Sequence, residues 1–281
     1  MKASLILCMA LAAGIAAADT TVVGFESGTQ GWSGPSGIGG GTTIDVEDGT
    51  PAPSLRTVFN DFGITFRTTS NTAWVRDFSE VESATFSVDT LVRQINFFGQ
   101  DVSRPWLLEL RDYDSGAPGY PWASVWYKFA DISQASHGAW TTFSVTIADT
   151  GAADLPAGWR GYGDEDPVTF EPILPAGVTF AQILAGVDEV VYTTLEPGFF
   201  FGFTDHDVAI DTVTVTTEAG PAGCNAADNA EPFGVLDLAD VQGFIAAFVS
   251  QGDAADVAAP FGVWDLADVQ AFITAFSGGC P

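Results

Sequence analysis

Six aspartates fall into two sets with the same internal spacing. Asp228, Asp237 and Asp240 recur 28 residues later as Asp256, Asp265 and Asp268. Carboxylates in such sets do one of two things. They ligate a hard cation such as Ca2+, which takes about 6–8 oxygens, or they accept the free N–H groups at a helix start. Asp237 and Asp265 sit at N-cap positions before apolar-periodic runs, with Asp240 and Asp268 at the third helical position.

A second group has the chemistry of sugar recognition. In Trp122–Phe129, strand alternation puts Ala123, Val125, Tyr127 and Phe129 on one face. Trp122, Ser124, Trp126 and Lys128 share the other, with the two indoles about 13 Å apart at roughly 3.3 Å per residue. The preceding run divides the same way, Trp106, Leu108 and Leu110 against Glu109, Arg111 and Tyr113. Gln94 and Asn96 line one face of a third run. Indole faces suit the apolar faces of sugar rings, and the polar side chains suit their hydroxyls. An exposed patch of this kind marks a binding surface. If the segment 148–178 folds over Trp122 and Trp126 instead, they are core; both readings stay open here.

Other chemistries are poorly represented. The chain has two histidines, His137 and His206, and no Gly-x-Ser-x-Gly elbow or phosphate loop. Asp205-His206-Asp207 reads as a structural strand edge, and Asp164-Glu165-Asp166 as a solvated cluster in a Pro/Gly-rich loop. No catalytic constellation is visible, although carboxylates paired from separate strands are invisible to sequence. A net charge of −27 argues against nucleic acid or anionic lipid as a partner.

The elements that position these residues divide the 281-residue chain. Residues 1–18 read as a signal peptide: Lys2, an apolar run and Ala16-Ala17-Ala18. The mature chain is then expected to be exported, with no membrane span. Cys224 and Cys280 remain, an even pair that favours a disulfide, worth about 3–4 kcal/mol by loop entropy. Residues 19–217 carry short apolar or alternating runs, among them Gln94–Phe98 and Phe199–Phe203, separated by Gly, Pro, Asp and Ser. That pattern predicts a mostly β fold, a β-sandwich or jelly roll. Thr179 and Gln182 have capping-box spacing before a short helix ended by Gly186. Residues 218–222 are a linker and 223–281 a second domain.

That domain is a duplication. Asn225–Phe248 and Asp253–Phe276 are identical at 18 of 24 positions. Leu238, Val241, Ile245 and Phe248 share one helix face, as do Leu266, Val269, Ile273 and Phe276, and the two stripes are expected to bury each other. Phe244 and Phe272 widen them.

The duplicated Gly-Val-x-Asp-Leu-Ala-Asp-Val-Gln motif, bracketed by Gly223-Cys224 and Gly279-Cys280, resembles a dockerin, and more narrowly the Gly-Cys-bracketed dockerin-like domains of secreted bacterial proteins. The resemblance covers residues 223–281. It implies a small α-helical, EF-hand-like unit that attaches the protein to a cohesin-like or cell-surface partner and holds Ca2+ through the six aspartates. The sequence departs from that family at the third loop positions, which are Ala230 and Ala258, and each loop is one residue longer than usual. Separately, Phe25-Glu26-Ser27-Gly28 and Ile210-Asp211-Thr212-Val213 resemble the terminal strands of carbohydrate-binding-module jelly rolls. That resemblance implies a structural Ca2+ between Glu26 and Asp211.

The sequence thus predicts an exported, non-catalytic protein, a carbohydrate-recognising sandwich with an anchoring module. Its rivals are a polysaccharide-active enzyme and a structural surface protein.

Overall fold

The computed structural model describes residues 18–219, 224–231 and 233–280. The expected signal peptide lies outside them, except that Ala18 opens the first strand. Residues 220–223 of the linker region lie outside them too. The chain forms two compact units, divided between Glu218 and Ala219. No helix among the described residues is long and apolar enough to cross a membrane.

The first unit contains β1 (Ala18–Val23), β2 (Trp32–Ser33), β3 (Gly40–Asp45), β4 (Ser54–Asp61) and β5 (Thr65–Thr68). After them come β6 (Ser83–Phe97), β7 (Gln100–Asp101), β8 (Arg104–Asp112), β9 (Ala123–Ile132), α1 (Gln134–His137) and β10 (Thr141–Ile147). The rest are β11 (Trp159–Tyr162), β12 (Asp164–Glu165), β13 (Pro172–Ile173), α2 (Phe180–Ala185), β14 (Glu189–Thr193) and β15 (Thr204–Glu218).

Two antiparallel sheets pack as a sandwich. One runs β10-β6-β15-β4-β3, with β1 beside β15 and β7 beside β6; the other runs β11-β9-β8-β14-β5-β2. Alternation dictates which side chains enter the space between them. Phe86, Val88, Ile95, Val208 and Val213 come from the first sheet, and Trp106, Leu108, Leu110, Val125 and Tyr192 from the second, into one core. The Tyr192 hydroxyl spans that core and donates to the Ser87 carbonyl of the opposite sheet at 3.3 Å. An apolar residue at every second position of β8, β9 and β14 therefore leaves the intervening residues on an outer face.

Two expected elements are corrected. Gln94–Phe98 is not a separate short strand; all but Phe98 forms the end of the long strand β6. Phe199–Phe203 is not a strand; it is an irregular loop with Phe199, Phe200 and Phe203 exposed. Consecutive phenylalanines gave it strand composition, but no neighbouring strand pairs with it. The capping box expected before α2 is present, with Thr179 and Gln182 bonding reciprocally.

The second unit holds α3 (Leu238–Ser250) and α4 (Leu266–Gly278), linked through a 3-10 turn at Asp253–Ala255. A disulfide joins Cys224 to Cys280. Its core is small: Ala227, Ala255 and the Phe244–Phe272 pair, whose rings stack at 4.1 Å. The expected stripes bury only in part. Val241, Phe248, Val269 and Phe276 pack against that core, while Leu238, Leu266, Ile245 and Ile273 stay exposed. The helices face each other about the two phenylalanines, which turns the leucines and isoleucines outward.

Candidate functional site

The outer face of the second sheet gathers most of the residues singled out for sugar recognition. The register places Glu109 opposite Trp126, and Arg111 opposite Ser124. Arg160 of β11 continues the first row beside Trp126, and Tyr162 the second beside Ser124. On the other side, Glu189 of β14 pairs with Arg111, and Arg67 of β5 lies opposite Val191.

A continuous polar ladder crosses this face. Glu109 Oε1 accepts from Ser124 Oγ at 2.7 Å and Trp122 Nε1 at 3.3 Å. Arg111 donates to Glu109 Oε2 at 2.6 Å and to Glu189 Oε2 at 2.7 Å. Arg67 reaches Glu189 Oε1 at 3.3 Å. Burial opposes the Arg111 charge, but Glu109 and Glu189 outweigh it and hold its pKa above the ordinary value. Glu109 and Glu189 are both buried, and such charges are tolerable only because each of their oxygens has a donor. The Arg111 guanidinium lies 4.1 Å above the Trp122 ring, a cation–π contact that fixes the indole.

Around Trp122 stands an aromatic group. Tyr113 and Tyr162 lie 6.4 and 6.1 Å from its ring, and Tyr120 lies 5.4 Å from Tyr162. Tyr113 is exposed, yet partial desolvation and the adjacent Glu189 push its pKa up to about 12, so its hydroxyl stays a neutral donor.

Two clefts open on this face. One, about 330 Å³, is bordered by Trp122, Arg111, Arg67, Thr65 and Asp61. The other, about 490 Å³, has Trp126 and Arg160 with Glu171, Glu196 and Phe199 at its walls. Both fall in the range of small-ligand sites. The two tryptophans differ. Trp122 is half-buried, whereas Trp126 is only 3% exposed, with Leu155, Ile173 and Leu174 around the same cleft. Trp126 is therefore a cleft wall and not an open platform. Its Nε1 is out of water with no acceptor, and Arg160 lies 5.5 Å from its ring. Lys128 pairs with Asp131 at 2.8 Å and with Glu196 of the cleft wall at 3.6 Å.

Gln94 and Asn96 do not belong to this face. They lie on β6, in the other sheet, so no amount of alternation brings them to Trp122. Gln94 borders a separate 230 Å³ hollow with Asn60, Asp205 and His206, and Asn96 accepts the Gly99 N–H of a tight turn. Sequence reading missed Arg67, Glu189, Arg160, Tyr120 and Tyr162. The alternation in Trp159-Arg160-Gly161-Tyr162 was the available signal, masked by the surrounding prolines and glycines.

The six aspartates of the second unit are engaged by backbone. Asp240 Oδ1 accepts from Asn229 N and Ala230 N, both at 2.9 Å, and Oδ2 from Asp237 N at 2.8 Å. Asp268 repeats the arrangement with Ala258 N and Asp265 N, both at 2.9 Å. Burial works against the Asp240 charge, but the N–H donors win and lower its pKa; for Asp268 the Asp265 N–H is the leading cause of a lowered pKa. Asp237 and Asp265 cap their helices, accepting from Ala239 N and Ala267 N. Asp228 accepts from Cys224 N and Gly234 N, and Asp256 from Gly262 N. A calcium loop needs converging oxygens. Here N–H donors converge on a carboxylate, and among the described residues the buried loop oxygens left without a donor are Asp228 Oδ1, Asn229 Oδ1 and Asp256 Oδ1. Among the described residues each loop keeps one or two bare buried side-chain oxygens, against the roughly 6–8 that a Ca2+ ion takes. The one three-residue group of metal-ligating type among the described residues, Cys224, Asp228 and Cys280, has its sulfurs tied in the disulfide.

Glu26 and Asp211 join no such group among the described residues. Glu26 is exposed in the turn after β1, its carboxyl folded back over Gly24. Asp211 is buried; burial raises its pKa, and it accepts from Thr50 N at 2.5 Å and Thr212 N at 2.7 Å.

No family model and no curated protein matches this sequence. Solved structures do resemble it. The CBM22-1 xylan-binding domain of Xyn10C from Paenibacillus barcinonensis is 14% identical, with a TM-score of 0.39, covering 73% of this chain and 98% of that one. The family 11 carbohydrate-binding module of the cellulosomal cellulase Lic26A-Cel5E of Clostridium thermocellum is 11% identical, with a TM-score of 0.41 over 73% and 96%. An exo-beta-agarase is 14% identical, with a TM-score of 0.42 over 83% of this chain and 31% of that one. Likenesses this distant say nothing about the ligand, which has to be argued from the residues themselves.

Proposed function

We propose that the protein is an exported, non-catalytic polysaccharide binder, anchored through its duplicated unit. One observation carries the sugar reading. The outer face of the second sheet presents a prearranged ladder, Trp122–Glu109–Arg111–Glu189–Arg67, between two clefts. Aromatic rings, a neutral tyrosine hydroxyl and fixed charged groups are what a sugar's apolar face and hydroxyl rim require.

Glu109 and Glu189 are also the pair an enzyme would use. Their oxygens are committed to Ser124, Trp122, Arg111 and Arg67. A carboxylate whose two oxygens each already hold a donor serves to fix its neighbours in place, which supports the non-catalytic reading.

The anchoring reading rests on the second unit. Leu238, Leu266, Ile245, Ile273 and Val249 are exposed, and an apolar hollow of about 290 Å³ runs between the helices. Residues 224–280 carry acidic side chains and no Lys, Arg or His. The complementary partner is a cohesin-like or other surface protein whose apolar patch is ringed by basic residues. The disulfide fits an exported location.

Affinity gel electrophoresis against a panel of neutral polysaccharides tests the first half. Retention by at least one polymer is expected, and free migration in all of them would refute it. For the second half, Ile245→Asp with Ile273→Asp should abolish attachment to the cell surface and leave polymer retention intact. Unchanged attachment would refute the anchor.

A further inference from the structure

We infer that the glycan bound on this face is presented as a solid, many-chain surface of neutral polysaccharide, which also docks on a phenylalanine rim beside the Trp126 cleft. This inference rests on the polysaccharide reading above. The rim is built from the turn after β6 and the loop before β15. Phe98, Phe199, Phe200 and Phe203 are 89%, 61%, 74% and 56% exposed.

These rings are packed into a surface. Phe62 lies 4.8 Å from Phe200 and 4.1 Å from Phe203, Phe97 lies 4.6 Å from Phe98, and Phe199 lies 4.6 Å from Phe201. Arg104 supports the loop from below, its Cζ 4.8 Å from the Phe201 ring. Gly202 lets the two loops touch, since a Cβ there would lie 2.8 Å from the Phe97 ring. A contiguous apolar patch on a protein is an interaction surface.

Three observations choose the occupant. Phe199 belongs both to the rim and to the wall of the Trp126 cleft, so the rim adjoins the cleft. Phenylalanine offers ring faces and no hydrogen-bonding atom, so the rim matches the apolar faces of packed sugar rings and cannot read hydroxyls. The net charge of −27 disfavours an anionic polymer or lipid. Phe98, Phe200 and Phe203 are exposed outside the cleft lining, so a chain held in the cleft meets Phe199 of the rim, and a broad surface is what meets the rest.

The test compares the full-length protein with its Phe98→Ser, Phe200→Ser double variant. Both side chains point into solvent, so the fold should persist. The probes are microcrystalline cellulose, chitin powder and insoluble xylan, with the matching soluble oligosaccharides. Wild type should pellet with one of the solids. The double variant should lose about tenfold or more of that binding, as the exclusion of two rings from water implies, and keep its oligosaccharide affinity. Equal pelleting of both proteins, with oligosaccharide binding intact, would overturn the rim and leave the cleft standing. Binding of no glycan in either form would overturn both. Pelleting with phosphatidylcholine vesicles but no solid, or a dimer that the variant dissolves in sedimentation velocity, would assign the rim to a membrane or a second copy and overturn this inference.

Discussion

The Arg111 guanidinium lies 4.1 Å above the indole of Trp122 while bridging the buried carboxylates of Glu109 and Glu189. One side chain thus sets the orientation of the aromatic ring and neutralises the face that carries it. Arg111→Met should cost about 3–5 kcal/mol, because it strands two buried carboxylates. Urea unfolding measures this. Adding Glu109→Gln and Glu189→Gln to Arg111→Met should recover part of the loss, since the stranded charges are then gone.

In the duplicated unit, Phe244 and Phe272 supply most of the buried apolar volume. Phe244→Ala should cost roughly 3–5 kcal/mol, which a core this small has no reserve to absorb. Calorimetry of the full chain should show the transition of that unit fall or vanish, with the sandwich transition unmoved.

The aspartates of the repeats predict the response to metal. EDTA and added Ca2+ should each leave the melting of the duplicated unit unchanged, because N–H groups already occupy the Asp240 and Asp268 carboxylates. Asp240→Asn should lower it, since one oxygen becomes a donor facing donors. The lowered pKa values of Asp240 and Asp268 give the sign with acid. Their contribution is present above the ordinary carboxylate value of about 3.9 and is lost as pH falls below it.

His206 gives the sandwich a different pH response. Burial first, and the neighbouring Arg104 second, lower its pKa to about 4 from 6.5. Unfolding frees it to take a proton, so its contribution is whole above pH 6.5 and is lost as pH falls toward about 4, on the order of 3 kcal/mol in all. Stability curves of wild type and His206→Gln, measured between those limits, should converge as pH falls.

Much of this was legible in the chain. Period-two alternation in Trp122–Phe129 and Trp106–Arg111 separated core from outer face correctly, because a strand gives its side chains only two directions. The helix starts at Asp237 and Asp265 were legible because a capping box is a local pattern. What alternation does not carry is which strands become neighbours. Gln94 and Asn96 had the right chemistry on the wrong sheet, and Arg67 and Glu189 entered the ladder only through pairing of β5, β14 and β8. The fate of Trp126 was decided by the distant segment around Leu155 and Leu174, which no local rule predicts.

The most direct measurement is isothermal titration of wild type and Trp122→Ala with an oligosaccharide cut from the polymer that retains the protein, with circular dichroism confirming the fold of both. Loss of the ring should weaken binding by about tenfold or more, as removal of a central aromatic contact does. Equal affinity in two well-folded proteins would mean that the glycan does not bind on the outer face of the second sheet.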